Sequence, residues 1–405
     1  MIKNLINAME NAIEQMMQWP EKSIWVFHHN DADGLCSGAI LDRAFMRKGF
    51  NIQRFCLEKP YPAVLKKIYE QQGRILVFAD FAGRIAPILS ELNKGRNLTL
   101  ILDHHVAVAS TDPSVHNLDP DLFGLKGDRD ISASTTCYLF ARAMDPANRD
   151  LASIATLGAV GDGFFVKGQL ASENRKAALE AERHGLIEIV KHETGEHYLI
   201  TTPKGQISCV QLGEDLDIFG GVGYFQGGPN MGVEVCLEGF TPDSEQKLEE
   251  FKAIKAKAFD NEILNLRAGA LNKTPHIQWF HVEQRFLPMG VKMIGLFCEF
   301  IKEMSFIDPN KYIAGFQIIP DEIPNLGAIS LREVKISMRV SSILEQEIRV
   351  GKRMALNTFL PEATNRLGGF SDACHSLTAA TTVAIGKELE LIEEMEKILQ
   401  GGLDG

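Results

Sequence analysis

The chain has no CxxC pair, no apolar run long enough to cross a bilayer, no internal repeat and no low-complexity tract. Each absence removes a class of protein. The seven cysteines (Cys36, Cys56, Cys137, Cys209, Cys236, Cys298 and Cys374) are odd in number and scattered. They support neither a zinc ribbon nor a disulfide framework and read as small core residues. Without an apolar stretch of roughly 20 residues there is no spanning helix. The start, Met1-Ile2-Lys3-Asn4, lacks the basic stretch, apolar block and cleavage site of a secretory leader. The expectation is a cytoplasmic protein with no membrane partner. A formal net charge of -11 argues against a broad basic surface that wraps long duplex nucleic acid. A divalent-metal site carries its own positive charge, so small anions or short strands fit this balance.

What is present is globular in character. The 405 residues are 45% hydrophobic and 23% charged, enough for two or more domains with their own cores. Leu5, Ile6, Met9, Ile13, Met16 and Met17 recur at helical spacing and predict an opening amphipathic helix. Apolar runs without alternation follow at Ser23–Phe27, Asn51–Cys56, Arg74–Ala79 and Asn97–Leu102, separated by helical patterns such as Cys36–Lys48 and Arg84–Asn93. That order predicts an α/β fold with a parallel sheet and helices on both faces. Helices are expected at Ile131–Met144, Asp150–Val160 and Ser172–His184, then a strand-and-loop insertion over Ile187–Phe240 and a charged helical connector from Asp243 to Ala268. From about Pro275 strands and helices mix as in a smaller α+β domain. The expected organisation is 1–186, 187–274 and 275–405.

The chemistry gathers where the parallel strands end. Ile24–Phe27 runs into His28-His29-Asn30-Asp31-Ala32-Asp33-Gly34, Ile75–Ala79 ends at Asp80, and Leu98–Leu102 ends at Asp103-His104-His105. The helical pattern through Val160 ends at Gly161-Asp162-Gly163. In open α/β sheets the carboxyl ends of the strands line the ligand crevice, so these loops should converge. Carboxylates and imidazoles brought together need a cation at their centre. With no thiolate among them the set suits Mn²⁺ or Mg²⁺, with Zn²⁺ also open. Two such ions can clamp a phosphoryl group and activate water. Gly34 is expected to bring backbone N–H groups near an anion at the next helix start. Taken alone, Asp-Ala-Asp-Gly is a turn and Asp80 a strand-end cap; His28, out of phase with the motif, reads as structural. The Gly220–Gly232 segment lacks Gly-Lys-Ser/Thr and reads as a mobile loop, with a lid as the alternative.

Together these residues resemble the DHH phosphoesterase family. The resemblance rests on His29-x-Asp31-x-Asp33-Gly34, Asp80, Asp103-His104-His105 and Gly158-x-x-Gly161-Asp162, with Asn117-Leu118-Asp119-Pro120 and Ser132-x-Ser134 between the last two. It implies that His29, Asp31 and Asp80 hold one metal and that Asp33, Asp80, His104 and Asp162 hold the other. It implies further that His105 contacts the phosphoryl group and that Asp103 orients the histidine pair. The C-terminal part resembles, more weakly, the domain that accompanies this catalytic domain. There Val334-Lys335-Ile336-Ser337-Met338-Arg339 and Asn365-Arg366-Leu367-Gly368-Gly369, followed by His375, imply substrate contacts through Arg339, Arg366, Gly368, Gly369 and His375. The histidine departs from the family spacing, because Phe370 to Cys374 intervene. The form of the first motif looks most like archaeal-type RecJ-like proteins. This implies an exonuclease on single-stranded DNA or RNA or on short oligonucleotides, using two Mn²⁺ ions (Mg²⁺ as the alternative), with a homodimer left open. The other branches are a phosphatase of nucleoside bisphosphate, pyrophosphate or polyphosphate, a cyclic dinucleotide phosphodiesterase, and a replication-associated scaffold on the same fold.

Overall fold

The computed structural model describes residues 1–202 and 205–401, so the C-terminal limit expected at 405 lies outside the described residues. The chain forms two compact units: Met1–Glu249 with Pro324–Ile329, and Glu250–Ile323 with the residues from Ser330 onward. Residues 187–249 fall in the first unit. Among the described residues no helix is long and apolar enough to cross a membrane.

The first unit is built on five strands: β1 (Ser23–His28), β2 (Asn51–Cys56), β3 (Ile75–Ala79), β4 (Leu98–Leu102) and β5 (Val115–Asn117). Their order is β2-β1-β3-β4-β5 and every pairing is parallel. All residues of β3 and β4 are buried, which is why their sequences show no alternation. Register decides where the site lies. His28 pairs with Ala79, and Ala79 with Leu102, so three neighbouring strands stop in line. Just before these ends a ladder of rings locks the strands together: Phe27 stacks on Phe78 at 5.1 Å and on Phe55 at 5.0 Å. Each pair contributes about 0.5–1.5 kcal/mol beyond its buried area.

The helices of this unit are α1 (Ile2–Gln18), α2 (Ala32–Arg47), α3 (Pro62–Ile68), α4 (Ala86–Asn93), α5 (Ala133–Met144), α6 (Ala152–Gly161) and α7 (Ser172–Arg183). In α1 Leu5, Met9 and Met16 are buried, so the methionine stripe is largely core, while Met17 faces solvent. Helix α2 starts a full turn earlier than its apolar pattern, because Asp31 caps it by accepting from Gly34 N–H. Then come β6 (Ile187–His192), β7 (Gly195–Thr202) and β8 (Gly205–Ser208), an antiparallel sheet, and the helices α8 (Cys209–Asp217), α9 (Gly228–Glu238) and α10 (Pro242–Asn265). The Gly220–Gly232 stretch is not the expected mobile loop. Ile218–Val222 is a π-helical turn, α9 begins at Gly228, and most residues of the Gly220–Gly232 stretch as a whole are buried.

The second unit has one sheet of six strands, β9 (Asn272–Lys273), β10 (Ile277–His281), β11 (Tyr312–Ile318), β12 (Glu333–Arg339), β13 (Phe370–Cys374) and β14 (Thr378–Ala384), in the order β9-β10-β11-β12-β14-β13. Only β10 and β11 are parallel. Helices α11 (Met293–Ile301), α12 (Ser342–Arg349), α13 (Leu356–Arg366) and α14 (Glu388–Gly401) complete it. Tyr312, Ala314 and Phe316 of β11 and Val334, Ile336 and Met338 of β12 share a core with Phe359 and Leu360 of α13 and Leu391 and Met395 of α14.

Candidate metal centre

The aligned ends of β1, β3 and β4 deliver His29, Asp80 and Asp103 side by side, at strand spacings of about 4.8 Å. Nδ1 of His29 lies 2.6 Å from Asp31 and 3.5 Å from Asp80. Asp80 itself sits at φ 67, followed two residues on by Ala82 at φ 86. Left-handed backbone in non-glycine residues costs of order 1–3 kcal/mol and clusters at functional sites. Here it turns the chain off β3 while Asp80 N–H still donates to Leu102 O at 3.1 Å.

Asp33 is fixed more firmly. Its Oδ2 accepts from Ala133 N–H at 2.8 Å and its Oδ1 from Ser134 N–H at 3.1 Å, both in the first turn of α5. That turn is capped by Ser132, whose side chain accepts from Thr135 N–H. The carboxylate therefore sits on the positive end of a helix. Gly158 makes the space: a Cβ there would stand 2.5 Å from Asp33 Oδ1 and 2.3 Å from Ser134 Oγ.

His104 donates from Nδ1 to Gly127 O at 2.5 Å, so its Nε2 is the basic nitrogen. Nε2 faces Asp80 at 3.4 Å and Asp162 at 3.8 Å. His105 is half-exposed, with Nδ1 donating to Asp103 Oδ1 at 2.7 Å. Asp103 also accepts from His104 N–H and Gly83 N–H, each at 2.8 Å. It is thus an anchor for the histidine pair.

The electrostatics show what the cluster needs. Burial raises Asp33 to about 6, and nearby Asp80 adds to the rise. Burial likewise pushes Asp162 up to about 8, with Asp33, Asp31 and Asp80 contributing. Burial opposes the charged form of His29, but Asp31 and Asp80 outweigh it and hold the imidazole up at about 10. His104 and His105 are raised in the same way, chiefly by Asp80 and Asp103 respectively. Burial would also raise Asp103, yet His105 beside it holds that carboxyl well below the usual range. Crowded carboxylates that retain protons are groups short of positive charge. Donor atoms of His29, Asp31 and Asp80 lie within 4.8 Å of one another, as do those of Asp33, His104 and Asp162, and those of Asp80, Asp103, His104 and His105. The first two groups, joined where His104 Nε2 comes within 3.4 Å of Asp80, offer oxygen and imidazole donors only, a set that fits a pair of hard or borderline divalent ions.

Two expectations, on Gly34 and on the second unit, are revised. Gly34 N–H is occupied by Asp31 and offers nothing to an anion. Gly34 instead permits close packing, since a Cβ would stand 2.5 Å from His29 O. His28 is structural, buried and held neutral: burial lowers it to about 4. In the second unit the five proposed substrate residues do not form one group. Arg339 pairs with Thr378, and His375 N–H donates to Thr378 O, so these two stand at one end of the sheet. Arg366 closes α13, and Gly368 and Gly369 precede Phe370 at the far end of β13, about 13 Å away along the strand. Arg366 is taken up by Glu362 and Glu394 at the surface. Arg339 donates to Met338 O at 2.8 Å and pairs with Glu299 at 3.3 Å, while His375 is exposed.

Gly83 and Gly127 had no signal in the chain, whereas Gly158 and Asn117 lay in the family-like motifs without an assigned role. Gly83, Gly127 and Gly158 act through a backbone group or through an absent side chain. Asn117 ties Gly83 O and Val108 O together at 2.8 Å each. Ser132-x-Ser134, in the sequence only a family-like stretch, proves to hold the cap of α5.

No family model matches the chain. A stretch of 244 residues, 58% of this chain, is 27% identical to an uncharacterized protein of Methanocaldococcus jannaschii and spans 48% of that protein. Among solved structures, a DHH domain described as a member of a family of ribosomal proteins superposes with a TM-score of 0.62 at 16% identity, over 98% of this chain and 90% of that one. RecJ of Thermus thermophilus in complex with Mn²⁺ gives 0.62 at 14% identity, over 97% and 55%. The fold is a RecJ-like DHH fold. CDC45 of Entamoeba histolytica shares it at a TM-score of 0.52 and 10% identity, over 98% of each chain. The DHH fold is thus carried by proteins with different names, and activity has to be argued from the site.

Proposed function

We propose that this protein is a two-metal phosphoesterase that hydrolyses phosphodiester bonds in single-stranded nucleic acid or short oligonucleotides, as a RecJ-like exonuclease. The observation that carries the reading is the gathering of His29, Asp31 and Asp80 in one donor group and of Asp33, His104 and Asp162 in another, with His104 Nε2 3.4 Å from Asp80. These six would hold the ions, Mn²⁺ in the first instance and Mg²⁺ as the alternative. When bound, the ions supply Lewis acidity toward a phosphoryl oxygen and toward water.

The chain's own residues do the rest. Asp103 raises His105 and so favours its charged form, which at a half-exposed position would donate from Nε2 to a phosphoryl oxygen. The Gly127 carbonyl fixes the tautomer of His104. In the second unit Arg339 and His375, at one sheet end, are the residues proposed to hold the substrate.

A small-anion phosphatase, acting on pyrophosphate, polyphosphate or a nucleoside bisphosphate, is the second reading, favoured by the net charge of -11. A panel assay in Mn²⁺ separates the two. It uses single strands of graded length, a dinucleotide, a cyclic dinucleotide, a nucleoside bisphosphate, pyrophosphate and polyphosphate, with Asp80→Ala as control. Laddering of strands that is lost in Asp80→Ala is the expected result. Phosphate release from small anions alone moves the protein to the second reading. Strand degradation that survives Asp80→Ala sinks the metal mechanism.

A further inference from the structure

The glycine-rich segment after β8 packs directly on the metal-binding loops. Three contacts define it. At Gly213 a Cβ would stand 2.8 Å from the Cα of Gly161, and at Gly161 one would stand 2.6 Å from the Cβ of Ala32. The backbones of α6 and α8 therefore meet beside the Ala32 methyl of α2, with no room for a side-chain carbon on either glycine. At Gly220 a Cβ would fall 1.8 Å from Asn30 O, and Asn30 Nδ2 donates to Gly220 O at 3.3 Å and to Glu58 at 3.2 Å. Between these glycines, Asp217 Oδ1 accepts from Ala32 N–H at 3.2 Å.

The positions touched are not arbitrary. Asn30 follows His29, Ala32 stands between Asp31 and Asp33, and Gly161 precedes Asp162. One segment of 212–222 thus touches residues that adjoin His29, Asp31, Asp33 and Asp162 in the chain, on two loops far apart in sequence.

The local chemistry of α8 supports a role beyond its own helix. Asp217 ends α8, whose last turn has no basic residue, so the carboxylate opposes the helix dipole there. The same carboxylate lies at the N-terminus of α2, where it satisfies an orphan N–H at the positive end of that helix. The chain then continues into the π turn Ile218–Val222, a form that recurs at functional sites.

We propose that Asp217, with Gly213 and Gly220, forms a clamp that holds the His29–Asp33 and Gly161–Asp162 loops at the separation a pair of divalent ions requires. These are positioning residues, acting through the backbone beside the ligands, and the proposal rests on the metal-centre reading above.

The test is calorimetric titration of Mn²⁺ into the metal-free protein, with thermal unfolding of the metal-free form alongside. Asp217→Ala is expected to bind Mn²⁺ about 10-fold or more weakly, in the range of lost outer partners. Asp217→Asn keeps an accepting oxygen for Ala32 N–H and is expected to stay within about three-fold of wild type. The metal-free unfolding temperatures of both should lie within about 2 °C of wild type. Gly213→Ala should weaken binding in the same direction; where it fails to fold, the Asp217 pair decides.

Wild-type affinity in Asp217→Ala overturns the clamp. So does an equal loss in Asp217→Asn, or a loss that merely tracks destabilisation of the metal-free protein. A wild-type protein that binds no Mn²⁺ removes the metal centre, and the clamp with it. Wild-type binding with an unchanged Asp217→Ala removes the clamp alone.

Discussion

The first and second units treat charge in opposite ways. At the ends of β1, β3 and β4, carboxylates and imidazoles are buried and crowded, and several are held by backbone groups: Asp33 by Ala133 and Ser134 N–H, Asp103 by Gly83 N–H, His104 by Gly127 O. In the second unit Arg366 finds Glu362 and Glu394 at the surface, and Arg339 finds Glu299. An exposed pair is complete in itself and worth little. A buried excess of acid is incomplete: it keeps protons until a cation compensates its charge. The first arrangement points to a ligand; the second permits one without requiring it.

The sharpest way to break this contrast is to remove a shared ligand. Asp80→Ala should abolish Mn²⁺-dependent hydrolysis by more than about 100-fold, beyond what outer partners typically cost, with kcat as the readout. Persistence of activity would place the chemistry elsewhere.

A subtler blow leaves every ligand in place. Gly158→Ala drives a methyl group onto Asp33 Oδ1 and Ser134 Oγ. Overpacking of this kind costs about 1–3 kcal/mol, read from denaturant unfolding, and Mn²⁺ affinity should fall with it.

Acidity offers a third probe. In the metal-free fold Asp33 and Asp162 hold protons up to about 6 and 8, and His29 up to about 10, all above their ordinary values. These three groups bind more protons in the native state than in the unfolded chain across roughly pH 4 to 10. Their contribution to metal-free stability should therefore fall as pH rises through that window, with His28 opposing them below about pH 6.5. Divalent ions compete with those protons, so Mn²⁺ affinity should weaken as pH drops from about 8 to about 6, with proton release visible in buffers of different ionisation enthalpy. A metal-free protein that gains stability from about pH 5 to about pH 8 would contradict the assignment of crowded acids.

The smallest effect belongs to the second unit. Arg366→Ala should change activity by less than about two-fold, as for a solvated pair. Arg339→Ala is expected to raise KM several-fold with kcat nearly unchanged, the pattern of lost substrate binding. Equal effects of the two would erase the distinction drawn between the sheet ends.

Much of the first unit was legible because its signals are local. Uninterrupted apolar runs such as Ile75–Ala79 announce a strand buried on both faces, and the acidic or imidazole residue after each run marks the crevice end of a parallel sheet. The helix start at Ala32 was less legible, because the cap at Asp31 competes with an apolar pattern that begins later. The Gly220–Gly232 stretch misled for a related reason. Glycine marks flexibility in an exposed chain, yet here it marks close approach, as at Gly220 against Asn30 O. The split of Arg366 and His375 to opposite sheet ends followed from β13, a short strand flanked by glycine and histidine that carries little apolar signal.

By itself the sequence determined the inventory of carboxylate and imidazole donors and the sheet that presents them. Residue type fixes donor chemistry, and strand ends fix side-chain order within each short loop. Only the tertiary structure decided which loops meet, which carbonyl sets the tautomer of His104, and which glycines leave room for them. Those depend on partners 23 to 185 residues away, from Gly127 on His104 to Asp217 on Ala32, and on backbone atoms that are alike in every residue.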